Sequence, residues 1–315
     1  MPEHGENPIR AGQSAALVIN SRSRHGKRLA RQTMRALAEQ GIAIGEVHVS
    51  FHLHHLRDVV QRTITHGHPL VIVGGGDGTF SSIVGVFAYR NAVLGLLPFG
   101  TGNSFARTLG IPLTLTGAID ILAHGKVAQV NLGSVNEQYF ANSVDLGMTV
   151  DVARSASRWL KQFAGPYAYV LVGLRALFRH HPFHCTLRFD GQQEEFDTYE
   201  VIVVNGSYYG DTPLPERIGD TGPTLALRTI DTPSRWEQLR RWYSFLAGNA
   251  SAFDSEHQRI AHEFQLTAYP EQYLNIDGEI TEKTPARFSV ADRALKVMVP
   301  QTFGSTRPGS AGVEW

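Results

Sequence analysis

Apolar and polar positions follow two different rhythms along this chain, and the change falls near residues 125–133. Before it, short apolar runs alternate with stretches of helical period. Ala15–Asn20 reads as a strand, and residues 27–40 as a helix with Ala30, Met34 and Leu37 on one face and Gly41 as its stop. Residues 42–49 are a second strand and 54–66 a second helix, closed by Gly67. Residues 71–73 form a short buried strand, with the following helix over 80–89. A fourth strand covers 93–97, with a short helix from Asn103 that Asn103 or Ser104 would cap, and 114–124 is helical. Such repetition predicts a mainly parallel sheet with helices on both faces, whose ligands sit at the carboxyl ends of the strands.

Past residue 125 the pattern shortens. Strands are expected at 127–135, 138–144, 184–189, 200–205, 224–230, 263–268, 273–277 and 287–290, with helical segments only around 151–179 and 233–249. Many short strands separated by turn signals suggest a sandwich-like arrangement. The expectation is therefore an α/β N-terminal domain with a mainly parallel sheet over residues 11–130, then a β-rich, sandwich-like second domain over 131–300. Residues 301–315, which contain Gly, Ser and Pro, read as a loose C-terminal tail.

Composition narrows the function classes. The 315 residues carry 29 basic and 29 acidic side chains, a balance that disfavours a dedicated nucleic-acid binder. A single cysteine, Cys185, rules out an internal disulfide framework and fits a reducing cytoplasm. Residues 1–7 are polar with two glutamates, unlike a signal peptide, and the most apolar stretch, 164–178, is interrupted by Pro166 and Arg175 and too short to span a bilayer. A lipid substrate would have to be met from outside the membrane.

Chemistry concentrates after the third and fourth strands. Gly74-Gly75-Gly76-Asp77-Gly78-Thr79 follows one apolar run, and Pro98-Phe99-Gly100-Thr101-Gly102-Asn103-Ser104 follows the next. Glycines permit positive φ and close approach to bare N–H groups, and exposed amides beside a helix N-terminus favour an anion, most often a phosphate. The plain alternative is a strand-to-helix turn that merely needs glycine. Asp77 would weaken a simple phosphate cradle unless a cation sat there too. Neither a Walker A sequence nor a complete G-x-G-x-x-G is present, so a phosphate site here is of another kind.

Together these residues resemble the catalytic domain of the diacylglycerol kinase and sphingosine kinase family, particularly its soluble bacterial lipid kinases. The likeness runs from Asn20-Ser21-Arg22-Ser23 through both glycine loops to Tyr139-Phe140-Ala141-Asn142, Asn205-Gly206-Ser207-Tyr208-Tyr209-Gly210 and Asn275-Ile276-Asp277-Gly278-Glu279. The first glycine loop is shared with NAD kinases, whereas its combination with the 98–107 loop and a late Asp-Gly-Glu is more specific to lipid kinases. The resemblance implies transfer of the γ-phosphate of ATP, with Mg²⁺, to a lipid hydroxyl in an interdomain cleft. The first domain would hold the nucleotide and the second the lipid, diacylglycerol or a relative. Asn20 and Ser23 would touch ATP; Gly75, Gly76, Gly78 and Thr79 would hold its phosphates, with Thr101 and Asn103 nearby. Asp77 would organise the metal or the nucleotide, Asp220 would serve a structural metal turn, and Glu279 would be the base that takes the hydroxyl proton. Without the resemblance, Asp277-Gly278 reads as an ordinary hairpin turn with Glu279 exposed.

Three positions depart from the family pattern. Ser104 stands where an Asp is usual, Asn131 where many members have an Asp, and Gly219-Asp220-Thr221-Gly222 replaces an Asp-Asp-Gly turn. Lost carboxylates weaken cation binding. Two other readings therefore stay open: a nucleotide-gated lipid-binding protein without kinase activity, and an NAD kinase-type enzyme. Residues 154–189 interleave six basic residues, from Arg154 to Arg188, with aromatics and contain no acid. They suit either an anionic membrane surface or an amphipathic helix packed into the second domain, and the Arg235–Leu246 region invites the same pair of readings. The expected location is cytoplasmic, with peripheral contact at the inner membrane face. His48, His52, His54 and His55 cross a strand-to-helix junction and need not converge on a metal. The oligomeric state stays open.

Overall fold

The computed structural model describes residue 8 and residues 14–20, 26–50, 53–150, 181–206, 208–209, 212–213, 223–230 and 258–304. Two compact units emerge, Met1–Thr79, Tyr89–Val130 and Leu295–Trp315 in the first, Phe80–Ala88 and Asn131–Ala294 in the second. Neither is a contiguous piece of sequence, unlike the segments 11–130 and 131–300 suggested by the change of pattern along the chain.

The first unit alternates β1 (Ala15–Asn20), α1 (Gly26–Glu39), β2 (Ile44–Ser50), α2 (Leu53–Thr65), β3 (Leu70–Gly75), the start of α3 (Asp77–Phe87), β4 (Val93–Pro98), α4 (Ser104–Thr108) and α5 (Leu115–His124). Strands β2, β1, β3 and β4 lie side by side in that order, all parallel. Residues 15–19 and all of β3 and β4 are buried, which is why they read as unbroken apolar runs; β2, at the edge, mixes exposed and half-buried positions. Thr114 caps α5, accepting from Gly117 N–H at 3.3 Å.

Beyond lie β5 (Lys126–Val135), β6 (Gln138–Phe140), β7 (Ser143–Gly147), β8 (Phe183–Phe189), β9 (Gln192–Thr198), β10 (Glu200–Val204), β11 (Tyr208–Tyr209), β12 (Thr212–Pro213), β13 (Leu225–Thr229), β14 (Gln258–Ala261), β15 (Glu263–Tyr269), β16 (Tyr273–Ile276), β17 (Glu279–Lys283) and β18 (Ala286–Val299). In the second unit one antiparallel sheet runs β14-β13-β10-β7-β16-β17, and antiparallel pairs join β18 to β15, β15 to β8 and β8 to β9. Alternate residues of both layers, among them Val144, Leu146, Val201 and Leu274 against Cys185, Leu187, Phe264 and Phe288, form one buried cluster. Two sheets with interdigitating inner faces are a sandwich, as the strand spacing anticipated. Cys185, fully buried, serves as a small apolar residue within it.

Three differences from the sequence reading bear on the site. The expected strand over 138–144 is two strands, interrupted at Ala141 and Asn142, whose amides are turned to a carboxylate. The expected strand over 287–290 is 14 residues long, and its Lys296 and Val297 pair in parallel with Val93 and Leu94 of β4 in the first unit. Helix α3 begins at Asp77 and not at Phe80, so the glycine loop is shorter than its sequence suggests. The helices expected around 151–179 and 233–249 fall outside the described residues.

Candidate active site

Strand order 2-1-3-4 reverses direction between β1 and β3, and the carboxyl ends at such a reversal are where α/β sheets place ligands. Asn20 ends β1 at this point and Gly75 ends β3. Asn20 Nδ2 donates to Thr79 Oγ1 at 2.8 Å, and the Thr79 N–H donates to the Gly76 carbonyl at 2.9 Å. Thr79 is buried, so its hydroxyl anchors the loop to β1. The other side-chain atom of Asn20, Oδ1, is buried without a hydrogen-bond partner among the described residues.

The glycines act by absence of volume and not by backbone freedom. None of Gly74, Gly75, Gly76 and Gly78 adopts the left-handed conformation. A Cβ on Gly75 would fall 2.4 Å from the Thr79 side chain, and one on Gly76 would fall 2.9 Å from the Gly100 Cα. The reverse holds too: a Cβ on Gly100 would lie 2.6 Å from the Gly76 Cα. The two loops thus meet backbone to backbone. Gly78, exposed in the first turn of α3, faces open space.

Asn103 or Ser104 was expected to cap α4; Asn103 occupies the N-cap position in a left-handed conformation (φ 52°), but its side chain makes no cap bond. Instead its Oδ1 accepts from Gly100 N–H at 2.9 Å and its Nδ2 donates to Gly100 O at 2.8 Å, closing the second loop on itself. Asp77, from the first loop, takes the capping role: its Oδ1 accepts from Phe105 N–H at 3.4 Å, and its Oδ2 lies 2.9 Å from where a Gly102 Cβ would stand. Thr101 is exposed and Ser104 buried. Asp77 is half-buried, with one oxygen engaged by Phe105 N–H and no hydrogen bond to the other among the described residues.

In the second unit the motif segments converge on one side chain. Asp277 Oδ2 accepts from Ala141 N–H at 2.7 Å, and its Oδ1 accepts from the N–H groups of Asn142 and Ser143, both at 2.9 Å. Burial pushes the Asp277 carboxyl above its usual value, opposed by these amides and by a bond from the Ser81 hydroxyl. Asn205 braces the same turn, donating from N to Asn142 O at 2.8 Å and from Nδ2 to Ala141 O at 3.2 Å. Asn131, the second departure from the family pattern, accepts Arg293 N–H on its Oδ1 at 2.9 Å, a role that needs an acceptor and no charge. Glu279 is exposed and begins β17 opposite Ile276; Asp277 and Gly278 form the two-residue turn between them, with φ of 48° and 96°. Sequence reasoning placed Asp277 in a motif and a turn but gave it no role, and it passed over Ser81, which stood in no motif.

Ser23 and Asp220 lie outside the described residues, as do 151–180 of the basic-aromatic stretch and all of 235–246; Phe183, at the end of the former, is buried in the sandwich core. Of the expected histidine group, His52 lies outside the described residues, and His48 is found elsewhere engaged. With His66 and His68 it surrounds Glu46, at 2.5, 3.0 and 3.2 Å respectively. Among the described residues no group of three or more His, Cys, Asp or Glu is arranged to hold a metal ion, and no helix is long and apolar enough to cross a membrane.

Two family models match the chain: the diacylglycerol kinase catalytic domain over residues 14–135, and the YegS C-terminal NAD kinase beta sandwich-like domain over residues 142–299. Diacylglycerol kinase of Staphylococcus carnosus (strain TM300) is 26% identical over 265 residues, 78% of this chain and 81% of that protein. Diacylglycerol kinase of Staphylococcus aureus (strain Newman) is 26% identical over 248 residues, 76% and 77% of the two chains. The crystal structure of a diacylglycerol kinase from Bacillus anthracis str. Sterne has the same fold, with a TM-score of 0.73 at 20% identity over 91% of this chain and 97% of that one.

Proposed function

Since this chain belongs to the diacylglycerol kinase catalytic-domain family, whose members are lipid kinases, we propose that it transfers the γ-phosphate of ATP to a lipid hydroxyl, that of diacylglycerol or a related lipid. The observation that carries this reading is the meeting of two glycine loops at neighbouring strand ends. Gly76 and Gly100 leave bare backbone there, and Asp77 is the carboxylate beside it. Bare amides at strand ends and a helix N-terminus suit phosphate oxygens.

Gly75, Gly76 and Gly78 would hold the phosphates, with Asn20 and Thr79 fixing the loop beneath them and Thr101 exposed alongside. Asn103 keeps the second loop closed. Asp77 would be the protein carboxylate that holds a magnesium ion, the remaining oxygen ligands having to come from outside the described residues. Such an ion neutralises charge on the transferring phosphoryl group. Glu279 would accept the proton of the lipid hydroxyl, a role that contributes about 10²–10⁴-fold. A lipid acceptor places the reaction at a membrane surface, met from the cytoplasmic side where ATP is supplied.

The test is transfer from γ-labelled ATP to vesicles that contain diacylglycerol, monoacylglycerol, a sphingoid base or phosphatidylglycerol, with an NAD arm, and mass identification of the product. A lipid phosphomonoester is expected, with Glu279→Gln reducing its formation at least 100-fold. Phosphorylated NAD would reassign the enzyme, and lipid binding with no ADP release would leave a binding protein.

A further inference from the structure

We infer that Asp277 is the positioning residue for Glu279, holding the catalytic hairpin through the amides of Ala141, Asn142 and Ser143. This rests on the reading of Glu279 as the base.

No hydrogen bond holds the Glu279 carboxylate among the described residues, so its direction is set by its backbone. That backbone is the first residue of β17, the edge strand of its sheet, just past a two-residue hairpin turn. Such a turn has few contacts of its own, and both its residues are in the left-handed region. Asp277 is the residue that ties it down. Its N–H donates to Ser143 O at 2.9 Å, while its carboxylate accepts from three consecutive N–H groups and from the Ser81 hydroxyl. Consecutive amides that point at one carboxylate form an anion-binding concavity, here filled by the protein's own side chain. Charge-assisted bonds of this kind are short and directional.

The break between β6 and β7 has the same cause. Were 138–144 one strand, the amides of 141–143 would belong to a ladder; they are given to Asp277 instead. Asparagine or aspartate tolerates the left-handed turn position, so shape alone does not demand a carboxylate there. An amide in its place keeps the turn but presents Nδ2 to at least one N–H donor. The hairpin would then tilt, and displacement of a reacting group by about 1 Å costs about 100-fold in rate.

The experiment is a double-mutant cycle on the full chain with Asp277→Asn and Glu279→Gln, under the lipid transfer assay. Asp277→Asn alone is expected to lower kcat 10- to 100-fold with KM for ATP unchanged, because its contacts all lie in the second unit. In the Glu279→Gln background it should have no further effect, since a residue that acts through Glu279 has nothing left to position. Equal losses in both backgrounds, a rise in KM for ATP, or an unchanged kcat would overturn the inference. If Asp277→Asn does not fold, Ser81→Ala removes one donor from the same carboxylate. A severalfold fall in kcat that vanishes with Glu279→Gln supports the assignment, and an additive one rejects it. Should Glu279→Gln itself leave turnover intact, the base assignment fails, which is a separate result from a silent Asp277→Asn.

Discussion

Gly76 and Gly100 approach so closely that a single methyl on either would press into the other's backbone, at 2.9 and 2.6 Å. The contact joins the ends of two adjacent parallel strands and leaves no side chain between the loops. Here glycine is required for close approach, since neither residue takes the left-handed conformation that glycine usually supplies.

Gly76→Ala should therefore destabilise the first unit, by about 1–3 kcal/mol, the range for forced overpacking. Gly78→Ala is the control. It sits exposed in the first turn of α3 with nothing within 4 Å, so its folding stability should hold or rise by up to about 1 kcal/mol. Chemical denaturation of both variants separates the two; equal losses would contradict the packing account. If Gly78 N–H lies against a phosphate, ATP affinity alone should fall in Gly78→Ala.

Asp77 has two separable duties, capping α4 and carrying charge. Asp77→Asn keeps an acceptor for Phe105 N–H and loses the charge, so melting should stay within a few degrees of the parent while transfer drops by at least about 100-fold, the scale of a lost electrostatic contact. Asp77→Ala should lose both, abolishing transfer and costing about 1 kcal/mol from the cap. Turnover that survives Asp77→Ala would remove this residue from the active site.

Asn20→Ala deletes the donor to Thr79 and leaves a buried hydroxyl beside an empty space. A loss of about 1–2 kcal/mol in stability is expected, together with a rise in KM for ATP. Asn20→Asp tests the direction of the bond, because Thr79 would have to turn its hydroxyl and donate. Isothermal titration with a non-hydrolysed ATP analogue reads the binding change directly.

The cluster around Glu46 gives a pH dependence. Hydrogen bonds from His48 and then His66 hold its carboxyl down to about 2, against an ordinary value of 4.5. The folded state therefore favours the ionised form, and the stability this adds is fully present above about pH 4.5. It is lost as pH falls from there through about 2. Glu46→Gln should consequently flatten the acid limb of the melting curve between pH 5 and 3 and change little of its slope between pH 7 and 8. An acid limb identical in the two proteins would show that Glu46 does not contribute to it.

Much of the first unit was legible from residue order. β1 fell on the residues expected, and α1 and α2 were found within one residue at each end, because each buries a stripe or face that its own periodicity displays. The glycine loops were legible as a place, not as a mechanism. Their sequence suggested positive φ, and the structure uses missing Cβ atoms. Asn103 is the N-cap residue of α4 as its place in sequence suggested, but the side chain that caps the helix is that of Asp77, 28 residues before Phe105 and next to it in space. The second unit's strands at 184–189 and 263–268 alternated clearly and were found. The polar edge strand β9 and the long reach of β18 were not, because neither shows a local pattern that distinguishes it from loop.

By itself the sequence determined the α/β-then-sandwich order and the two glycine loops at strand ends, since these depend on patterns within some 30 residues, and its motifs between Asn20 and Glu279 carried the likeness to lipid kinases. Tertiary structure alone decided that Gly76 meets Gly100, that Asn20 holds Thr79, and that Asp277 gathers amides 134 to 136 residues away. Local periodicity records which face a segment buries. It carries no record of which distant backbone N–H groups are left over once the sheets have paired, and those groups are what Asp277 collects.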